Sequence, residues 1–303
     1  MSGWLPPLAM ALLLLLPQAA RAGAWTQPKR AIWVKLSAGY LRTTEEFNHE
    51  GERLELLEED PGSEDAAFRD LNLTLYGEYG LLDAVTLVGG LPFKALRSER
   101  TGLVGGGLLR REEARNTLGP GDLSLSLRTR LLARPVAFAI QTGLQIPLGY
   151  DEKPDNDGPP LGSGNLNAEV HLLAGFSLHP RPAYLTAGVG YRRRGGRLHD
   201  EIPFSVEGGW RRGRLLLKLL VQGVRNTKTP PDIFGAPVVT PLPGGGGALP
   251  DLVVGDQHIL QVNPAAIWEL GSGLSVQAEI MRTVAGTNTL SGTTLSLGLL
   301  LRR

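Results

Sequence analysis

The chain has 303 residues with 40 glycines, 22 prolines and no cysteine, and its 31 lysines and arginines against 30 aspartates and glutamates leave a formal charge of +1. Glycine, proline and short alternating apolar stretches disfavour helical domains, while the charge balance excludes the broad basic footprint of a nucleic-acid binder. The absence of cysteine excludes disulfides, thiolate metal sites and cysteine nucleophiles.

In chain order, the first element is an address. Residues 8–16 are an apolar run too short to cross a bilayer as a helix, and the small-residue triplets Ala20-Arg21-Ala22 and Ala22-Gly23-Ala24 follow it. Residues 1–22 therefore read as a secretory signal peptide, although no lysine or arginine precedes the run, and 23–303 as one domain. No later stretch approaches about 18 consecutive apolar residues, so membrane insertion must use strands.

Twelve runs with period-two alternation follow, near 31–42, 69–80, 83–93, 121–132, 136–148, 164–178, 183–193, 202–211, 214–226, 256–268, 273–284 and 291–303. Each is long enough for a tilted membrane strand, which needs about 9–11 residues. In 121–132, Leu123, Leu125, Leu127 and Leu131 share one face, and Asp122, Ser124, Ser126, Arg128 and Arg130 the other. The next run places Val136, Phe138, Ile140, Leu144, Ile146 and Leu148 together; pairing Leu127 with Ile140 and Ser126 with Gln141 matches the faces of this hairpin. Connections at 80–82, 133–135, 179–182, 212–213 and 269–272 are tight, and those at 43–68, 94–120, 149–163 and 227–255 are long. An even strand count with short turns on one side and long loops on the other predicts an all-β, transmembrane antiparallel β-barrel of about 12 strands in a bacterial outer membrane, both termini in the periplasm.

A soluble barrel also alternates, and the aromatics discriminate. Tyr40, Phe93, Tyr150, Tyr191 and Phe204 fall on the apolar parity near the long loops, and Tyr79, Phe138, Phe176, Trp210 and Trp268 near the short turns. Two belts of amphipathic rings fit two headgroup layers, which a soluble core does not supply.

The opposite parity is mostly small and polar, for example Asn72, Thr74, Ser124, Gln145, Asn165, Asn167, Thr186 and Ser205, so the interior is expected to be wet; Leu173, Leu216 and Leu220 are exceptions. The candidate lumen-lining residues with chemistry are Arg128, Gln141, Glu169, His171, Arg192, Glu207, Lys218 and Glu279. A two-residue turn at Arg212-Gly213 sets Glu207 opposite Lys218, and the preceding hairpin sets Glu169 opposite Arg192. Such pairs either guide a polar solute or brace the wall. His171 lacks a paired serine, and no serine is convincingly placed beside His258, the one outward histidine at a strand end, so no enzyme is expected. No cofactor or metal is expected either. The Asp151, Glu152, Asp155, Asn156 and Asp157 group does not follow EF-hand spacing, and the glycines at 244–247 lack the lysine and helix of a phosphate loop.

The loops divide by sign: 43–68 is rich in glutamate, whereas Arg193, Arg194 and Arg197 stand beside Arg192 at the predicted outer rim as candidate lipopolysaccharide contacts. The expected partners are outer-membrane lipids and lipopolysaccharide, the barrel-insertion machinery and a small-molecule solute, for a monomer.

Gly23-Ala24-Trp25-Thr26-Gln27-Pro28, directly after the cleavage site, resembles the start of the XagA-like outer-membrane proteins, and the whole mature chain is loosely similar to barrels of the meta-pathway phenol-degradation transporter type. The resemblance implies a barrel in the outer membrane and either small-molecule passage or an accessory part in surface polysaccharide systems. The chain departs from the usual barrel ending, an aromatic residue, by closing on Leu301-Arg302-Arg303. A pore for small solutes is the leading expectation; a non-conducting accessory protein for polysaccharide export or adhesion is the alternative.

Overall fold

The computed structural model describes residues 23–56, 63–104, 109–150, 158–229 and 256–303, and every regular element among them is a β-strand. The expected signal peptide, the acidic group at 151–157 and the glycine run at 244–247 lie outside these residues. Twelve strands close a ring: β1 (Ile32–Thr43), β4 (Ser63–Leu82), β5 (Val85–Val104), β7 (Leu123–Leu132), β8 (Ala137–Ile146), β9 (Asn167–Ser177), β10 (Ala183–Arg193), β11 (Glu201–Arg212), β12 (Leu215–Asn226), β13 (His258–Gly271), β14 (Leu274–Thr287) and β16 (Thr293–Arg302). Neighbours run antiparallel, and β1 pairs with both β4 and β16, so the last strand seals the ring against the first.

The alternation has the cause expected of it. Outward residues are apolar and uncovered: Leu71, Leu172, Leu295 and Leu297 are 55%, 58%, 58% and 69% exposed. Such a continuous apolar surface is unstable in water and suits acyl chains, while ring closure satisfies the backbone groups that a bilayer cannot. The chain is a twelve-stranded transmembrane β-barrel. Nine of the ten belt aromatics lie exposed on this face. The exception is Tyr150, which packs against a buried apolar cluster and donates its hydroxyl to Asp122. Burial, then that hydrogen bond, pushes the Tyr150 phenol far above its ordinary range.

Two segments read as long loops are largely strand. β5 continues to Val104, and β6 (Leu109–Pro120) pairs with its outer half while β7 pairs with its inner half; β4 starts at Ser63. Lipid-facing alternation ends near Arg69 and Arg97, and beyond it the strands bury apolar residues on the inward parity instead. Ala66, Phe68 and Leu96 there form one cluster with Leu56 and Leu161, flanked by Leu41, Tyr150 and Leu290. Within the 43–68 loop, and at the junction of the runs 273–284 and 291–303, β2 (Glu45–Phe47), β3 (Arg53–Glu55) and β15 (Thr289–Ser291) make a separate three-stranded sheet. The long-loop end of the barrel thus carries an apolar-cored cap.

Two registers also differ from expectation. Leu127 pairs with Thr142, and Ser126 with Gly143, two residues from the predicted partners. Parity is unchanged, because a shift of two keeps every side chain on its face. The connection here spans 133–136, where Pro135 cannot donate to the ladder. In the β11–β12 hairpin the turn is Gly213-Arg214, with Gly213 at φ 57°, so Glu207 pairs with Leu220 and Lys218 with Gly209. The left-handed position falls on the glycine, where it costs least.

Candidate functional site

Inward side chains enclose a cavity of about 990 Å³. Its lining reaches from Arg211, Glu269 and Arg302 at the short-turn rim to Asn72 and Thr294 further up the wall. Of the predicted lumen residues, Arg128, Gln141, Glu207, Lys218 and Glu279 line it. Leu173, Leu216 and Leu220, odd on a wet parity, line it too.

The lumen is not empty, because residues 23–29 fold into it before β1 begins. The segment turns at the β4–β5 hairpin, where the Thr26 hydroxyl donates to the Asp83 carbonyl (2.7 Å) and the Lys29 amide to the Asp83 carboxylate (2.9 Å). It then follows the wall: the Gln27 amide donates to Thr86 Oγ1 (2.7 Å) and Gln27 Nε2 to Glu78 Oε2 (2.6 Å). Arg128 Nη1 donates to the Trp25 carbonyl (3.1 Å), and the Trp25 ring reaches β10, edge-on to Tyr184 with centroids 5.9 Å apart. Two glycines make room. A Cβ at Gly80 would stand 1.8 Å from the Pro28 oxygen, and one at Gly175 2.9 Å from the Trp25 ring. Of the inward apolar exceptions, Leu216 now has a reason: with Tyr184, Ile267 and Leu300 it forms a cluster against which Trp25 and Trp33 pack. The sequence marks these residues only through a family resemblance and gives them no place in the lumen, because they have no periodicity.

Charge along the wall is largely paired. Glu78 and Arg128, each almost fully buried, stand 3.1 Å apart; Tyr76 donates to Glu78 (2.7 Å), and Arg128 Nε donates to Gln141 (3.0 Å). Diagonally across the β11–β12 hairpin, Lys218 meets Glu207 at 2.7 Å, and Tyr184 donates to the same carboxylate at 2.6 Å. Arg211 meets Glu269 at 2.9 Å. Lys35 forms no ion pair among the described residues, and Glu279 accepts a hydrogen bond from Gln277. A carboxylate buried in the wall as deeply as Glu78 needs a counter-charge to remain ionised without large cost.

Glu169, His171 and Arg192 do not line the open cavity. Glu169 and Arg192 pair across β9–β10 as predicted, at 3.0 Å, but belong to a packed network at the long-loop mouth. His171 stands 3.4 Å from Glu169, Arg192 reaches Glu201 at 2.8 Å, and Arg194 bridges Glu201 (2.9 Å) and Asp256 (3.6 Å). The His199 amide donates to Asp256 at 2.9 Å, tying the start of the segment that leads into β13 to the β10–β11 loop. The Tyr191 hydroxyl and the Arg194 amide, in that order, hold the nearby Asp200 carboxyl below its usual range. The Arg194 side chain, expected at the outer rim as a lipopolysaccharide contact, is 6% exposed and turned into the network between two carboxylates. Arg193 and Arg197 remain exposed. His258, weighed above as an outward base, accepts the Asn226 amide on Nδ1 at 3.2 Å.

These features define a class: a membrane-spanning barrel capped at one end, with its own N-terminal segment lodged in the lumen. The chain is similar to the COG4313 outer membrane channel from Pseudomonas putida F1 over 94% of its length and 100% of that chain, with 14% identity and a TM-score of 0.64. It also aligns with the transport unit of the autotransporter AIDA-I from Escherichia coli (10% identity, 97% and 96% covered, TM-score 0.48) and with the KdgM porin (8%, 88% and 98%, 0.43). At such identities the likeness concerns the fold. No family model and no curated protein matches the chain.

Proposed function

We propose that this chain is an outer-membrane channel for small polar solutes, monomeric, with the short turns in the periplasm and the cap outside. The observation that carries this reading is the lumen: a cavity of about 990 Å³ whose wall combines amides and hydroxyls with charged groups. A membrane barrel needs no such hydrated wall for stability alone, since small barrels fill their interiors with side chains. The envelope location rests on closure, on the lipid-facing surface and on the fold shared with the Pseudomonas channel. The resemblance to XagA-like proteins gains point from the place of its six residues, which are the lumen segment itself. Residues 1–22 act in this reading as the export signal, and β16, with Leu295, Leu297, Leu299 and Leu301 facing lipid, as the strand offered to the insertion machinery. Exposed Arg193 and Arg197 are available to lipopolysaccharide phosphates.

A second reading has one observation in its favour. The cap and the N-terminal segment obstruct both ends, as a non-conducting accessory protein for polysaccharide export or adhesion would allow. Single-channel recording of the refolded protein in planar bilayers separates the two. Discrete openings, reduced by permeating sugars or organic acids, are the expected result; a silent bilayer across the whole panel would sink the channel.

Selectivity provides a further prediction. Lys35 faces the cavity outside any ion pair, with Glu279 and Glu207 acting on it only from farther away, so its charge is open to a passing anion. Lys35→Glu should shift the reversal potential toward cation preference under a salt gradient. Lys218→Gln should shift it in the same direction but less, because it only neutralises a lumen lysine, leaving Glu207 uncompensated, where Lys35→Glu reverses one. Identical reversal potentials in wild type and Lys35→Glu would remove these side chains from the path.

A further inference from the structure

A row of arginines crosses the outer surface where the lipid-facing strip ends. In the β1–β4 ladder Arg42 pairs with Arg69, and in the β4–β5 ladder Arg69 pairs with Arg97, so three guanidinium-bearing positions stand side by side on adjacent strands. All three lie on the outward parity, the one shared by Tyr40, Leu71 and Phe93 on the same strands. Strands pack about 4.8 Å apart, so the row spans about 10 Å. The pairs immediately below are Leu295 with Tyr40 and Tyr40 with Leu71, which are 58%, 45% and 55% exposed. The arginines thus follow directly on the last apolar positions of β1 and β4.

Their charges are not balanced locally. Arg69 and Arg97 share one carboxylate, Glu99, with Arg69 Nη2 3.0 Å from it. Arg42 is exposed and, among the described residues, has no hydrogen-bond or ion-pair partner. Arg69 Nε is shielded from solvent without any acceptor. Three guanidinium groups against one carboxylate leave an excess of two positive charges at the edge of the apolar surface. Beyond Thr293, Arg282 extends the line on β14, 3.9 Å from Glu45.

We propose that Arg42, Arg69 and Arg97 form a binding site for the phosphates of a phosphorylated glycolipid of the outer leaflet, its acyl chains lying on Tyr40, Leu71 and Leu295. Planar forks bind phosphate oxygens bidentately, which explains why arginine rather than lysine fills all three places. A free phosphate ion would use the arginines alone, whereas this ligand also uses the apolar positions beneath them. The proposal rests on the outer-membrane placement and not on conduction.

The test is native mass spectrometry of the full-length protein in detergent, titrated with bisphosphorylated lipid A, dephosphorylated lipid A and inorganic phosphate. Wild type should retain bisphosphorylated lipid A in preference to the other two. The R42A/R69A/R97A variant should bind it roughly tenfold more weakly or worse, while R134A/R181A, in the short turns at the opposite rim, keeps wild-type binding. Heat-modifiable gel migration reports folding. Should the alanine variant not fold, R42K/R69K/R97K keeps the charge and loses the forks, and weaker binding is again expected. Equal retention of dephosphorylated lipid A, wild-type affinity in the folded triple variant, or an equal loss in R134A/R181A would each overturn the site. Single-channel conductance of the same variants should stay at the wild-type value, so a failed lipid site and a failed channel are told apart.

Discussion

Removing residues 23–29 from the refolded barrel should raise its single-channel conductance severalfold. The segment crosses from the β4–β5 hairpin to β10, and its buried Ala24, Thr26 and Gln27 occupy volume that a solute would otherwise use. Conductance follows the narrowest hydrated cross-section, so a side chain the size of tryptophan inside a twelve-stranded barrel sets the limit. The barrel wall keeps its own ladders and the Glu78–Arg128 pair without the segment, so it should remain folded. Two point variants approach the same result from opposite sides. Trp25→Ala removes the ring and should give a partial increase. Gly175→Val leaves the segment intact but fills the seat of Trp25, whose ring lies 2.9 Å from where the new Cβ would stand, and should lengthen the open dwell times. If the deletion conducts no better than wild type, the segment is not the restriction and the cap at the other end must be.

How far the sequence reveals this arrangement depends on which medium each residue faces. Where strands meet lipid, alternation is enforced at every second position, and twelve runs and nine belt aromatics could be placed from parity alone. Parity is blind to shifts of two, so it sets Leu127 opposite Ile140 as readily as opposite Thr142, its partner in the fold, and only the turn around Pro135 settles it. Above the lipid the rule reverses. Phe68 and Leu96 bury themselves on the same parity that carries Asn72 and Lys94 lower down, so β4 to β6 read as loop where they build a cap. The lumen segment left its trace elsewhere, in Leu216, Ile267 and Leu300. Apolar side chains on a wet parity need something apolar to cover them, and Trp25 is that object. The glycines at 80 and 175 are the complementary trace, but one strand glycine reads like any other until the chain it accommodates is in view.

Arg128→Ala should be the most destabilising single change in the lumen, by about 3–5 kcal/mol, the usual cost of leaving a buried carboxylate without its counter-charge. Glu78 would keep hydrogen bonds from Tyr76 and Gln27, which are neutral and cannot balance its charge. The converse change, Glu78→Gln, leaves Arg128 with Gln141 and the Trp25 carbonyl as acceptors, and a guanidinium tolerates that better than a carboxylate tolerates isolation. It should cost about 1–2 kcal/mol, and the double variant less than the sum, since the two sites share one interaction. Urea unfolding in lipid vesicles, read by gel migration of the folded band, measures all three. Arg128→Ala also breaks the bond that holds the Trp25 carbonyl, so its surviving folded fraction should conduct better than wild type. A variant that is destabilised yet conducts as before would mean that Arg128 serves the wall and not the segment. Parallel changes in both would tie the buried ion pair to closure of the lumen, because the same guanidinium neutralises Glu78 and holds the segment in place.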